Sequence, residues 1–537
     1  MLENYSMSGA GEENMKRINT STFDFPSVIE NKILYVDKTA YLWRLLQDEK
    51  GEYFLSRPRR FGKSLLVSTL KALFQGRRKL FQGLAIDREK YKWKAYPVIH
   101  LDFANCAATT PEQLETFLNH LLLTAAKENG LKLREKGASI RFENLIRDAA
   151  ASSKTKQAVV LIDEYDKPIL SNITNPRVAE LRDALKGFYS CVKKCEGVIR
   201  FALVTGVSKF SHVSLFSELN NLTDLTLHPD YAGMLGFSAA EIREAFADRI
   251  PLAAEANGMA PETLVERLLA WYDGYRFSRA ETHVCNPVSV SKFFANAYTF
   301  SNYWEDTGTP SFLLELARRQ SYDYEAALRE YYDESVFRAY ELDRLDVTGL
   351  LWQTGYLTIK DVRRDEESLL YRLDFPDKEV QETFSRRLVE FYAGGECGNE
   401  AWSAVRQLRT AIRQDDLAGF LEHFQSFLAC VPYDLRLKHE KYYQTVFFCV
   451  FKLLGASIEA ESRTNEGRID AYIRTAKAVY IFEFKLDRTP DAALDQIVDR
   501  RYYERFRSSG LPIRMVGVDF ASEKGRIDGW KEVAPPQ

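Results

Sequence analysis

The sequence predicts an α/β fold built on a parallel sheet, followed near the C-terminus by a second, smaller α/β unit. Three observations carry this reading. Short apolar runs at 53–56, 97–103 (PVIHLDF), 157–163 (QAVVLID) and 199–205 (IRFALVT) read as buried strands. Helical patterns separate them, among them Lys63 to Gln75 and Arg177 to Cys195, and strands alternating with helices imply a parallel sheet covered on both faces. Near the C-terminus a helix (about 437–454), strands at 467–473 and 478–485, a helix (491–506) and a strand at 513–519 follow in order.

At 537 residues the chain has room for three or four domains, taking roughly 150 residues for each. Hydrophobic residues make up 45% and charged residues 28%, a globular composition with sizeable cores. A net charge of −3 excludes a strongly basic nucleic-acid coat and leaves local basic grooves open. The seven cysteines form no CxxC pair. Cys191 and Cys195 stand four apart on an expected helix without a third ligand nearby, so reduced thiols and a cytoplasmic location are expected rather than zinc. No apolar run approaches the roughly 18 residues of a membrane helix; Thr445 to Leu454 is shorter and contains Lys452. The polar N-terminus lacks the apolar segment of a secretory signal, and residues 1–17 are read as a disordered tail.

The parallel-sheet block is expected to span 18–230. Residues 231–340 read as mainly helical, with apolar positions at helical spacing in Ala239–Phe246 and Glu262–Tyr272 and a loop-rich break from Tyr275 to Pro287. A mixed connecting region, 341–430, holds a strand candidate at Tyr356–Lys360 and then helices from about 376. The last block is 431–537.

Residues 53–64 read YFLSRPRRFGKS, an apolar strand running into a loop that ends in Gly62-Lys63-Ser64 before a helix. Backbone N–H groups at such a helix start point at phosphate oxygens, and the helix dipole adds favourable potential. Gly62 lets the backbone approach closely, Lys63 would neutralise phosphate charge, and the Ser64 hydroxyl would ligate magnesium. Arg60, Phe61 and Leu65 complete the expected nucleotide contacts. The pattern GxxxxGK[ST] wants glycine where Arg57 stands, so the bland alternative is a helix start after a basic turn. A second signal is VVLIDE at 159–164, a buried strand ending in two acids at the sheet edge where nucleotides bind. Asp163 would hold magnesium and Glu164 would polarise the attacking water. Thr205, ending the next strand, either senses the γ-phosphate or simply terminates the strand.

RPRRFGKS, VVLIDEYDKP, LVTGVSKFS and WYDGYRF closely resemble the bacterial and archaeal AAA-ATPase-like family. YVDKT (Tyr35 to Thr39), NPVSV (Asn286 to Val290) and WEDTG (Trp304 to Gly308) agree, and the resemblance runs from about Ile18 to Ile359. It implies a P-loop NTPase sheet with a helical lid, in which the missing first glycine is normal. ATP and Mg2+ are the implied cofactors.

Residues 467–485 read GRIDAYIRTAKAVYIFEFK. Asp470 falls on the first strand of a hairpin. Glu483 and Lys485, two apart on the second, share a face with Val479 and Ile481, so a charged pair continues an apolar row. Such a pair needs a partner or a metal. Asp470 and Glu483 would hold magnesium, and Lys485 would position or deprotonate the attacking water. Glu440, opening a helix upstream, offers a further carboxylate. Gln496, Arg500 and Tyr503 recur at helical spacing downstream. The alternative is a surface hairpin with a salt bridge. The block from Tyr433 to Phe520 resembles the PD-(D/E)XK nuclease superfamily, which implies Glu440, Asp470, Glu483, Lys485 and Gln496 as its active-site set and magnesium-dependent cleavage of phosphodiester bonds, usually in DNA.

The combined expectation is an ATPase coupled to a magnesium-dependent nuclease acting on DNA, with RNA not excluded, no membrane partner, and self-association into a homo-oligomer left open. The competing class is a nucleotide-dependent switch whose nuclease-like domain is a docking module. Arg77-Arg78-Lys79 and Arg500-Arg501 either contact phosphates or are solvated charge.

Overall fold

A computed structural model describes residues 15–209, 222–304, 311–320, 322–338, 345–366, 368–393, 398–429, 458–464, 467–521 and 525–536, with the single positions 450 and 523. The chain divides into two compact units, Met1–Thr307 with Tyr331–Lys378, and Gly308–Glu330 with Glu379–Gln537. Most of the N-terminal tail and the helix expected at 437–454 lie outside the described residues. Arg17 is described, and it forms a bridge with Ile33.

The first unit is organised by a five-stranded sheet of β1 (Gly51–Ser56), β2 (Val98–Asp102), β3 (Ala158–Asp163), β4 (Ile199–Gly206) and β5 (Thr223–Asp224). Their order is β2-β3-β4-β1-β5, and every pairing is parallel. β1, β3 and β4 are buried along their whole length, which is why they read as continuous apolar runs and not as alternation. The helices Pro111–Glu128, Ala138–Ser152 and Val178–Lys194 cover one face through residues such as Leu118, Phe142 and Phe188, packed on Ile99, Val160 and Val204. The Lys63–Phe74 helix covers the other, with Phe74 4.9 Å from the Phe201 ring. Because side chains alternate along a strand, Thr205 lies on the same face of β4 as Phe201.

The helices Ala239–Ala245, Ile250–Ala256, Pro261–Tyr272 and Pro287–Ala295 form a second core in this unit around Phe246, Leu268, Phe293 and Phe294. A three-stranded sheet of β6 (Tyr331–Tyr332), β7 (Thr358–Asp365) and β8 (Ser368–Asp374) belongs to it too. The stretch 341–430, drawn from sequence as one connecting region, is thus shared out. β8 pairs with both β6 and β7 in the first unit, while the helices Gly398–Gln414 and Leu417–Ala429 belong to the second.

The second unit carries β9 (Ile458–Thr464), β10 (Gly467–Arg474), β11 (Val479–Leu486), β12 (Ile513–Ala521) and β13 (Arg526–Val533) in the order β13-β12-β11-β10-β9. Only β11 and β12 run parallel, and the Pro490–Asp499 helix makes the crossover a parallel pair requires. β11 is buried on both faces. Val479 and Ile481 pack on Leu494 and Ile497 of that helix; on the reverse side Phe482 meets Phe420 at 5.8 Å. Sequence reasoning extends this helix to 506. It stops at Asp499 because Arg501 turns left-handed, at φ 47°.

Among the described residues no helix is long and apolar enough to cross a membrane.

Candidate functional site

β1 delivers the chain to a tight loop whose last residue, Gly62, is the N-cap of the Lys63–Phe74 helix at φ 92°. A Cβ at Gly62 would meet only the Leu235 Cδ2 atom, at 4.0 Å, so the glycine answers to the left-handed backbone and not to crowding. Gly62 has no side chain with which to cap this helix, which leaves its first N–H groups to another acceptor. Arg60 is also left-handed, at φ 64°. Lys63 is 5% exposed, and its ammonium donates to the carbonyls of Arg57 and Pro58 at 2.8 and 3.0 Å. Burial pulls its pKa below the usual lysine range, against the opposing charges of Glu164, Asp163 and Asp166.

Arg57 explains how the loop dispenses with its first glycine. Its backbone is not left-handed, so no glycine is needed there. Its guanidinium is buried, donating from Nη1 to the Ser56 and Thr226 carbonyls at 2.9 Å each. It also lies 4.3 Å from the Phe277 ring. Burial brings its pKa down to about 9. The neighbouring Phe61 is edge-on to Tyr275 and Phe277, and a Cβ on Gly355 would strike Pro58 at 2.6 Å. These contacts fasten the loop to the WYDGYRF segment and to Gly355.

β3 ends with Asp163, 2% exposed, whose Oδ1 accepts from the Thr205 hydroxyl and from the Glu164 N–H at 3.1 Å. Thr205 is therefore a ligand of Asp163, and β4 runs one residue past it. Glu164 is half-buried and left-handed, at φ 51°. Burial raises its pKa above the usual carboxylate range, with Lys63 opposing. Asp166, which sequence reasoning did not single out, is buried and accepts from the Val207 and Ser208 N–H groups at 3.0 and 2.6 Å and from the Ser208 hydroxyl at 2.7 Å. Gly206 permits this: a Cβ there would lie 2.8 Å from the Asp166 carboxylate. The only trace of it in the sequence is the conjunction of DEYD with TGVS. Beside the loop lies a mainly apolar cavity of about 110 Å³, lined by Gly62, Leu65, Leu235, Phe237 and Val288 among others.

In the second unit Glu483 is 1% exposed. Lys485 donates to Glu483 Oε1 at 3.0 Å and to Gln496 Oε1 at 2.6 Å. The crossover helix therefore covers the face that carries the pair, as its Leu494 and Ile497 cover Val479 and Ile481. Ala471 on β10 is paired with Phe482 on β11. Asp470 precedes Ala471 and Glu483 follows Phe482, so the same antiparallel register sets Asp470 across from Glu483. The Asp470 side chain and all of Glu440 lie outside the described residues, and among the described residues no three His, Cys, Asp or Glu side chains gather as metal ligands. Asp519, paired with Lys485 on β12, is a further buried carboxylate there, accepting from the Arg488 N–H at 2.9 Å. Tyr503, with the helix ended, belongs to the apolar cluster around Tyr472 and Phe506.

Residues 19–216 match the family model described as predicted AAA-ATPase, and residues 438–530 match the PD-(D/E)XK nuclease superfamily. An uncharacterized protein in the vnfD 5' region of Azotobacter chroococcum mcd 1 is 35% identical over 508 residues, covering 92% of this chain and 94% of that relative.

Proposed function

Because the chain belongs to the predicted AAA-ATPase family and carries a C-terminal domain of the PD-(D/E)XK nuclease superfamily, we propose that it hydrolyses ATP in its first unit and uses the nucleotide state to control a magnesium-dependent nuclease centre, acting on DNA, in its second. The observation that supports it most is one buried ammonium, Lys63, facing three carboxylates across the end of a parallel sheet.

The phosphates would lie against the uncapped N-terminus of the Lys63–Phe74 helix, where the dipole and free N–H groups favour anions. The cavity beside Leu65 and Phe237 offers the base an apolar slot. Ser64 and Asp163 supply hard oxygen donors suited to Mg2+, which would draw charge from the γ-phosphate. Glu164 would take a proton from the water that attacks the γ-phosphorus as the bond to ADP breaks. Thr205 and the N–H of Glu164 fix the Asp163 carboxylate.

In the nuclease centre Glu483 and Asp470, with Glu440, offer a set of carboxylates, again hard donors that suit Mg2+; the ion would make a bound water acidic at neutral pH. Lys485, held between Glu483 and Gln496, would orient that water. Calorimetric titration with ATP and magnesium tests the first half, and magnesium-dependent cutting of linear, circular and single-stranded DNA and of RNA tests the second. Binding with turnover together with cleavage supports the reading; neither binding nor cleavage overturns it.

A further inference from the structure

The segment that follows the crossover helix, Arg500–Arg507 (RRYYERFR), has four arginines against one glutamate. Its aromatic residues Tyr502, Tyr503 and Phe506 are buried, while Arg500, Arg501, Arg505 and Arg507 are exposed. The split follows from how the helix ends. The Arg501 N–H bonds to the Val498 carbonyl at 3.0 Å and the Tyr502 N–H to the Ile497 carbonyl at 3.2 Å. This is a Schellman closure, and it places Arg501 at the left-handed position that favours glycine. An arginine there gains nothing for the turn. Its charge is what a glycine would lack.

The segment sits on the face that carries Glu483, with Tyr502, Tyr503 and Phe506 packed against Val479 and Ile481. The Arg505 guanidinium lies 5.4 Å from the Tyr472 ring, and Tyr472 pairs with Ile481, two residues along β11 from Glu483 and hence on the same side of the sheet. The Arg507 guanidinium lies over Tyr503 at 5.2 Å and pairs with Glu504 at 3.1 Å. Asp491, Asp495 and Asp499 are the exposed acids on the helix itself, and Asp491 pairs with Lys531 at 2.6 Å. The helix that leads into this segment presents Gln496 to Lys485. Charge, exposure and position thus line an approach to one carboxylate–lysine centre.

We propose that Arg500, Arg501 and Arg505 form a phosphate-binding ridge that holds the backbone of a nucleic-acid strand as it enters the Glu483–Lys485 centre. This rests on the nuclease reading for its purpose but not for its test. Phosphate contacts fix register without reading sequence, and each one released makes binding less steeply salt-dependent.

The test is equilibrium binding of the full chain to fluorescent duplex and single-stranded DNA in EDTA, across a salt series, for wild type, Arg501→Gly and Arg505→Ala. Arg501→Gly keeps or raises the melting temperature, since glycine suits the turn. It nonetheless weakens binding roughly three- to tenfold, with a log–log salt slope shallower by about one, as for one lost phosphate contact. Arg505→Ala does likewise. Unchanged affinity and slope in both variants, or no DNA binding by wild type, overturns the ridge. Binding by wild type that loses these contacts in the variants, without magnesium-dependent cutting, supports the ridge and removes the nuclease reading. Wild-type binding and cutting by both variants removes the ridge alone.

Discussion

Lys63 and Lys485 are both withdrawn from solvent beside carboxylates, yet they are held in opposite ways. Lys63 donates to main-chain carbonyls of its own loop, and its acidic neighbours act on it through space. Among the described residues Lys485 donates to side chains, those of Glu483 and Gln496. The first lysine is positioned by backbone geometry that Arg57, Pro58 and Phe61 fasten from outside. The second is positioned by Glu483 and Gln496, side chains of the proposed nuclease centre itself. A substitution among its neighbours should therefore leave Lys63 in place but shift Lys485, and the two sites can be broken separately.

The largest effects fall on the two glutamates. Glu483→Gln removes both a carboxylate of the proposed metal site and the partner of Lys485, so cleavage drops by at least about 10²–10⁴ while ATP affinity stays at the wild-type value by calorimetry. Glu164→Gln keeps shape and loses charge: ATP binding persists and hydrolysis slows by roughly 10²–10⁴. Wild-type turnover in that variant removes Glu164 from its role. The same residue sets a pH dependence. Burial raises its pKa, so the ionised form that accepts a proton is lost as pH falls, at a midpoint above the ordinary glutamate range near about 4.3. A pH–rate profile whose acid limb follows an unshifted carboxylate contradicts this.

Lys63→Ala comes next. Losing one charge-assisted contact of about 1.5–3 kcal/mol weakens ATP roughly ten- to a hundredfold, with circular dichroism unchanged and DNA cleavage without ATP intact. Arg57→Gly sharpens the contrast, because it restores the usual first glycine of a phosphate loop. It should destabilise the first unit by about 2–4 kcal/mol, since the Ser56 and Thr226 carbonyls lose a buried partner. A melting temperature at or above wild type would show that the arginine is not a fastener. Gln496→Ala is the mildest, an approximately tenfold loss of cleavage with Glu483 and Lys485 still paired.

Much of this was legible in the sequence because each signal is local. Four apolar runs marked β1 to β4, GKS marked a helix start, and the period of two placed Glu483 and Lys485 on one face with Val479 and Ile481. What was hidden depends on contacts distant in the chain. Nothing near Arg57 announces that its guanidinium reaches Thr226, so its departure from the glycine pattern looked like a defect. Asp166 serves a loop some forty residues on, through Ser208. For Thr205 the sequence leaves sensing of the γ-phosphate and a simple strand end open, and the parallel pairing of β3 and β4 brings its hydroxyl to Asp163. β13 went unread because it is an edge strand, exposed along most of its length, with no apolar row to mark it. The end of the crossover helix was missed because arginine in a left-handed turn carries no glycine signal.

The claim that joins the two sites is nucleotide control of cleavage, and one assay addresses it most directly. Magnesium-dependent DNA cutting is measured with and without ATP for wild type, Lys63→Ala and Glu483→Gln. The account predicts that ATP changes the wild-type rate, that Lys63→Ala cuts at a rate indifferent to ATP, and that Glu483→Gln does not cut under either condition. Cutting that survives Glu483→Gln, or a wild-type rate that ATP leaves unchanged, would contradict it.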